Sequence, residues 1–197
     1  MKNRRDKIVD FLQKQECFYA EEKEIIEYGI EQGKNFILSI ILVFLLGILF
    51  KTPVSSVVFL VMFIPLRKYA GGYHANSRLG CVLVSIASIS CCFWLITKMK
   101  WSSYYLLLAV VSILIIFFIA PVQNSKKILE EFERKIYKRK TRMILVIEGI
   151  ILVISFAFKL KDIFWAIMFA LMLVETSLLV ARILYLIQAN SKKETIT

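Results

Sequence analysis

The chain has 197 residues, 58% of them hydrophobic, with a mean hydropathy of +0.68. Soluble domains average roughly 45–50% apolar residues, so this composition excludes an ordinary soluble domain and points to a single bilayer-embedded unit. Lys and Arg number 26 against 15 Asp and Glu, a formal charge of +11. Because these charges sit at the ends of apolar runs rather than on one polar face, they read as a topology signal and an attraction to anionic lipid headgroups, not to nucleic acid.

In chain order, residues 3–30 are polar but periodic. Ile8, Phe11, Leu12, Phe18, Tyr19, Ile25 and Ile26 recur at helical spacing among charges, which predicts amphipathic helix on the membrane surface or against a bundle. The same stretch lacks an apolar core followed by a small-residue cleavage site, so no removable signal peptide is expected. A first apolar run covers residues 35–50 and is broken by Lys51-Thr52-Pro53. A second covers 54–66, interrupted by Ser55-Ser56 and ending around Pro65. Each is short against the roughly 20 residues of a span, yet with its flanks each fits a helix, the two joined by a tight turn. A polar segment follows, then apolar runs at 79–96 and 103–120 around a small loop. Pro121 opens a charged loop over 122–142. Two last runs, 143–158 and 163–189, are split by Lys159-Leu160-Lys161-Asp162, and a polar tail covers 190–197.

The expected fold is all-α: a polytopic membrane helical bundle of about six transmembrane helices with an N-terminal amphipathic helical segment. It forms one membrane-embedded domain, with 1–34 interfacial, 35–189 the bundle and 190–197 a tail. A four-span arrangement with 54–66 re-entrant is the rival. Six spans put both termini on one side. Twenty of the basic residues fall in the N-terminal segment, the polar segment after residue 66, the 122–142 loop and the tail; five fall in the opposite loops, and Arg182 lies within the last run. That asymmetry predicts cytoplasmic termini and a cytoplasmic polar segment.

The polar segment reads Arg67-Lys68-Tyr69-Ala70-Gly71-Gly72-Tyr73-His74-Ala75-Asn76-Ser77-Arg78-Leu79-Gly80-Cys81 and holds the chain's one histidine. On a continuous helix His74 and Cys81 would be about 10 Å apart along the axis. Gly71-Gly72 permits a sharp backbone turn, and Asn76 or Ser77 is a good N-cap for a helix starting near Arg78. Cys81 then sits in the first turns of that helix, with His74 in a loop able to fold back over it. A helix N-terminus and the nearby Arg67, Lys68 and Arg78 favour a thiolate, and an imidazole can take its proton and return it to a leaving amine. On spacing alone a solvated histidine and a packing cysteine are the commoner reading, because a His and a Cys this close form a weak motif. Cys17, Cys91 and Cys92 read as structural. No CxxC pair or metal-type spacing is present, so no metal or cofactor is expected. Glu148, Glu175 and Arg182 fall within apolar runs, where ionisable groups must find partners on other helices. Lys126 and Lys127 read as contacts to headgroups or to a peptide tail.

The run from Arg67 through His74 to Cys81 resembles the signature of the accessory gene regulator B family of quorum-sensing peptide processors. The chain also resembles that family in length, in its amphipathic start, in its several short apolar spans, and in a proline followed by a Lys-rich loop. The resemblance implies a cysteine endopeptidase in a bacterial cell membrane, with Cys81 as nucleophile, His74 as its base, and Arg67 and Gly72 supporting activity. It further implies as substrate a small pro-peptide with an amphipathic leader and an acidic tail. The enzyme removes the tail and promotes closure of a thiolactone or lactone ring. A homodimer is compatible with the family, though no interface is legible in the sequence. The competing class is a non-enzymatic transporter or scaffold for a peptide or lipid.

Overall fold

The computed structural model describes residues 23–72, 78–122 and 131–194. These form six α-helices: α1 (Lys23–Leu49), α2 (Pro53–Ala70), α3 (Arg78–Lys98), α4 (Tyr104–Ile119), α5 (Glu131–Ala157) and α6 (Lys161–Glu194). Two are long and apolar enough to cross a membrane, α2 and the Lys161–Leu184 part of α6; Phe36–Leu49, Leu83–Lys98 and Tyr104–Ile119 are shorter apolar helices. The all-helical membrane bundle expected from the apolar runs is observed. The amphipathic stretch before Lys23 lies outside the described residues.

The chain divides into two compact units, Met1–Leu42 and Val43–Thr197. In the first, the described residues all belong to α1, which exposes Phe36, Ile37, Leu38 and Ile41. Apolar side chains turned outward on this scale suit a lipid solvent rather than water.

The second unit is organised around α6. Its residues Phe164, Trp165, Ala166, Ile167, Met168, Phe169, Ala170 and Leu171 are each 4% exposed or less. A helix apolar all round is one surrounded by others, and α2, α3, α4 and α5 all pack against it, α2 most extensively. Between helices in a bilayer the cohesion comes chiefly from close packing, which small residues promote. Gly47 shows this near the α1–α2 turn, where an added Cβ would overlap the Ser56 side chain.

One end of this unit is aromatic. Trp101 stacks on Phe156 at 5.1 Å and tilts against Phe164 at 5.0 Å, while Tyr105 meets Trp165 edge-on at 4.8 Å. Tight turns close the same end, with Lys51 and Lys159 at φ 58° and 54°, and Ser55 donates to Asp162 at 3.4 Å.

Four boundaries differ from the sequence expectation, each for a physical reason. The charged residues 23–34 continue into the first apolar run as one helix, since no proline interrupts them. α2 does not stop at Pro65 but carries it inside and runs to Ala70. The missing amide bond is local, and Arg67 and Lys68 in the last turn complement the helix dipole. The second half of the 122–142 loop is helical, because Glu131 and Glu133 open α5 in its first turn. Finally, α6 runs to Glu194, taking in most of the expected tail; neither glycine nor proline follows Gly149 to end it.

Candidate active site

At the end of the bundle opposite the aromatic cluster, α2 finishes in a polar knot. Arg67 lies in its last turn, and the Arg67 Nη1 donates to the Gly71 carbonyl at 2.7 Å and to the Ser177 hydroxyl on α6. The Gly71 N–H donates to the Arg67 carbonyl at 3.2 Å, closing the helix. Gly71 forms a parallel bridge with Val122, whose N–H donates to the Ala70 carbonyl at 3.1 Å. The chain just after α2 is thus tied to α6 by an arginine and to the segment after α4 by backbone.

This knot explains why two glycines stand side by side. Gly71 has φ 80° and Gly72 has φ 128°, a region where other residues cost of order 1–3 kcal/mol. Space forbids a side chain as well. A Cβ on Gly71 would lie 2.6 Å from the Val122 carbonyl oxygen; one on Gly72 would overlap the Arg67 guanidinium and come 2.7 Å from Ser177 Oγ. Gly72 is buried against that guanidinium. Arg67 and Gly72, paired in the sequence only by resemblance, are in direct contact.

The basic part of α5 packs alongside. Tyr69 meets Tyr137 edge-on at 5.6 Å, and the Lys140 ammonium lies 4.9 Å from the Tyr69 ring centre. Cys81 is in the first turn of α3, described from Arg78 onward, which is where capping logic starts that helix. Its side chain is not described. His74, Lys126 and Lys127 lie outside the described residues.

Of the intramembrane ionisable residues, Glu175 does meet another helix: it accepts a hydrogen bond from Ser112 of α4 at 2.5 Å. Glu148 does not. It is 1% exposed, and neither carboxyl oxygen has a hydrogen-bond partner among the described residues. Arg182 is exposed and lies two residues from the end of the apolar stretch of α6, a position that suits a long cationic side chain extending toward a polar boundary. Cys91 is exposed and Cys92 buried, both as free thiols.

Three residues of this constellation escape the sequence reading: Ser177, Val122 and Ser112. A signal for the two serines existed, since small polar residues inside apolar runs turn toward neighbouring helices. Nothing in the sequence marks Val122, because its part is played by backbone atoms.

Comparison with known proteins agrees with this architecture. A family model described as accessory gene regulator B matches residues 5–180. An AgrB-like protein of Clostridium perfringens (strain SM101 / Type A) is 34% identical over 144 residues, covering 68% of this chain and 67% of its own. A second AgrB-like protein, from Clostridium perfringens (strain 13 / Type A), matches with the same identity and coverage. The accessory gene regulator protein B of Staphylococcus carnosus (strain TM300) is 30% identical over 135 residues, 68% of this chain and 69% of its own. No solved structure matches the chain. A family match over most of the chain, on an all-helical apolar bundle, establishes that this protein belongs to the accessory gene regulator B family of membrane proteins that process quorum-sensing pro-peptides.

Proposed function

We propose that the whole chain is one membrane cysteine endopeptidase domain in which Cys81 is the nucleophile and His74 its general base. The observation that carries this reading is the knot at the end of α2. Arg67, Gly71 and Gly72 are locked to α6 and to Val122, so the segment that bears His74 leaves from a fixed point. A chain fixed at Gly72 can carry a residue two positions on no farther than about 7 Å from it. On the other side of the same short segment, Cys81 belongs to the first turn of α3, where unpaired helix N–H groups favour a thiolate.

The chemistry follows from those groups. His74 takes the proton from the Cys81 thiol, and the thiolate attacks the scissile carbonyl of the pro-peptide. The C–N bond breaks, the imidazolium returns its proton to the leaving amine, and the acidic tail departs. What remains is an acyl-enzyme thioester on Cys81. A substrate thiol then gives its proton to His74 and exchanges with that thioester, closing a thiolactone and regenerating the Cys81 thiolate beside the imidazolium; a substrate hydroxyl deprotonated in the same way would close a lactone. A site at the lipid boundary limits the water that would hydrolyse the thioester.

The charge asymmetry of the loops supports a cytoplasmic position for both termini and for this segment. An amphipathic leader lying on the membrane would hold the substrate in the plane of Cys81. An acidic tail would be drawn to the basic residues around it, Lys126 and Lys127 among them, over a Debye length of about 8 Å.

The test is pro-peptide cleavage in membranes containing the Cys81→Ala or His74→Ala protein. Each variant is expected to abolish cleavage while inserting normally. Normal processing by either one overturns the assignment.

A further inference from the structure

The basic part of α5 is only partly used by the knot at Tyr69, and the rest faces outward. Lys135, Lys138, Arg139 and Arg142 share one open face of α5 with Met143, Val146 and Ile147. These positions recur at steps of three and four, so they form one stripe along a single helix face, about 18 Å from end to end at 1.5 Å per residue. The stripe changes character once. Its first half is cationic, with Lys135, Lys138 and Arg139 exposed; its second half is apolar, with Met143, Val146 and Ile147 56%, 59% and 55% exposed.

Arg142 stands at the change. Its guanidinium lies 4.3 Å from the ring centre of Phe117 on α4, which holds the side chain in place. Its buried Nε has no hydrogen-bond partner among the described residues. A guanidinium held in place and flanked by three further cations suits an anion with several acceptor oxygens.

We propose that this stripe is a binding site for an anionic phospholipid. The phosphate is held by Lys135, Lys138, Arg139 and Arg142, and one acyl chain runs along Met143, Val146 and Ile147. The continuous change from charge to apolar surface on one face selects this ligand. A phospholipid carries an anion and a hydrocarbon chain side by side along the membrane normal, whereas an acidic peptide or a free phosphate would use only the upper half. Basic pockets at the membrane edge are the usual receptors for such headgroups.

The test compares thermal unfolding of the full chain in nanodiscs of dioleoylphosphatidylcholine with and without dioleoylphosphatidylglycerol. Specific binding is expected to raise the midpoint by about 2–4 °C. The triple variant Lys135→Gln, Lys138→Gln, Arg139→Gln should lose at least half of that rise while unfolding like the parent in phosphatidylcholine alone. The pair Lys159→Gln, Lys161→Gln, in the turn after α5 and at the start of α6, should keep the rise. The proposal is overturned if the triple variant keeps the full shift, or if the control pair loses it equally. It is also overturned if soluble glycerol 3-phosphate or hexaglutamate produces the shift in phosphatidylcholine. A second readout needs no variant: native mass spectrometry of the parent protein from equal mixtures should retain phosphatidylglycerol over phosphatidylcholine, and equal retention contradicts the site.

Discussion

The two ends of the helical unit solve opposite problems. At the aromatic end, Trp101, Phe156, Phe164, Trp165 and Tyr105 fill space around the first turns of α6, and short turns hold the helices in register. At the other end the contacts that tie α2 to its neighbours include polar, directional ones: a guanidinium, a hydroxyl, two close-packed glycines and a backbone bridge, beside the Tyr69–Tyr137 ring pair. The first arrangement spreads cohesion over many weak contacts, so it tolerates small shifts. The second concentrates it in bonds that fail when an atom is misplaced. That difference teaches which end supplies stability and which supplies position.

Substitutions should separate the two roles. The largest effect on stability is expected from Phe164→Ala, which empties a fully enclosed site at the aromatic end. It should cost about 3–5 kcal/mol, measured as unfolding in denaturant-containing micelles, while the folded fraction still processes peptide at nearly the parental rate. A loss of processing per folded molecule with unchanged stability would reverse the roles of the two ends.

The next effect belongs to Ser177→Ala. This change removes one acceptor of the Arg67 guanidinium, a charged hydrogen bond worth about 1.5–3 kcal/mol. Processing should fall more than stability does, because the Arg67 guanidinium loses this tie to α6 and the position of the segment after α2 loosens. Ser177→Thr, which keeps the hydroxyl, should restore part of the activity. Equal losses in stability and activity for both variants would reduce Ser177 to a packing residue.

The smallest effect concerns a residue between the two ends. Glu148 is buried, and its removal forfeits no hydrogen bond to any of the described residues. Glu148→Leu should leave the thermal midpoint unchanged or raise it, since replacing a buried charge-bearing group by a well-packed apolar one is often neutral or stabilising. A drop of several degrees would show that the carboxyl has a partner in the membrane.

The helix pattern was legible in the sequence, because apolar runs and breakers such as Lys51-Thr52-Pro53 act locally, whereas the aromatic cluster around Trp101 and Phe164 joins residues far apart in the chain and was not. The boundaries were less legible where a local rule met a tertiary one. Pro65 reads as a stop, yet α2 continues because Arg67 and Gly71 secure the turn beyond it. Residues 131–142 read as a charged loop, yet they are helix, with Tyr137 and Lys140 packed on Tyr69. At the site, the glycine pair and Arg67 were legible as a motif. Their reason was not, because it lies 110 residues away at Ser177 and in the backbone of Val122. Glu175 was marked as needing a partner on another helix, but only the fold could name Ser112.

The central claim is that Cys81 forms a thioester with the trimmed peptide, and intact-mass spectrometry tests it most directly. The purified full chain is mixed with pro-peptide and quenched in acid within the first turnover. An adduct equal to the mass of the pro-peptide less that of the released tail peptide, cleaved by hydroxylamine, is expected in the parent protein and not in Cys81→Ala. An adduct that persists in Cys81→Ala, or tail release without any adduct in the parent, would contradict that claim.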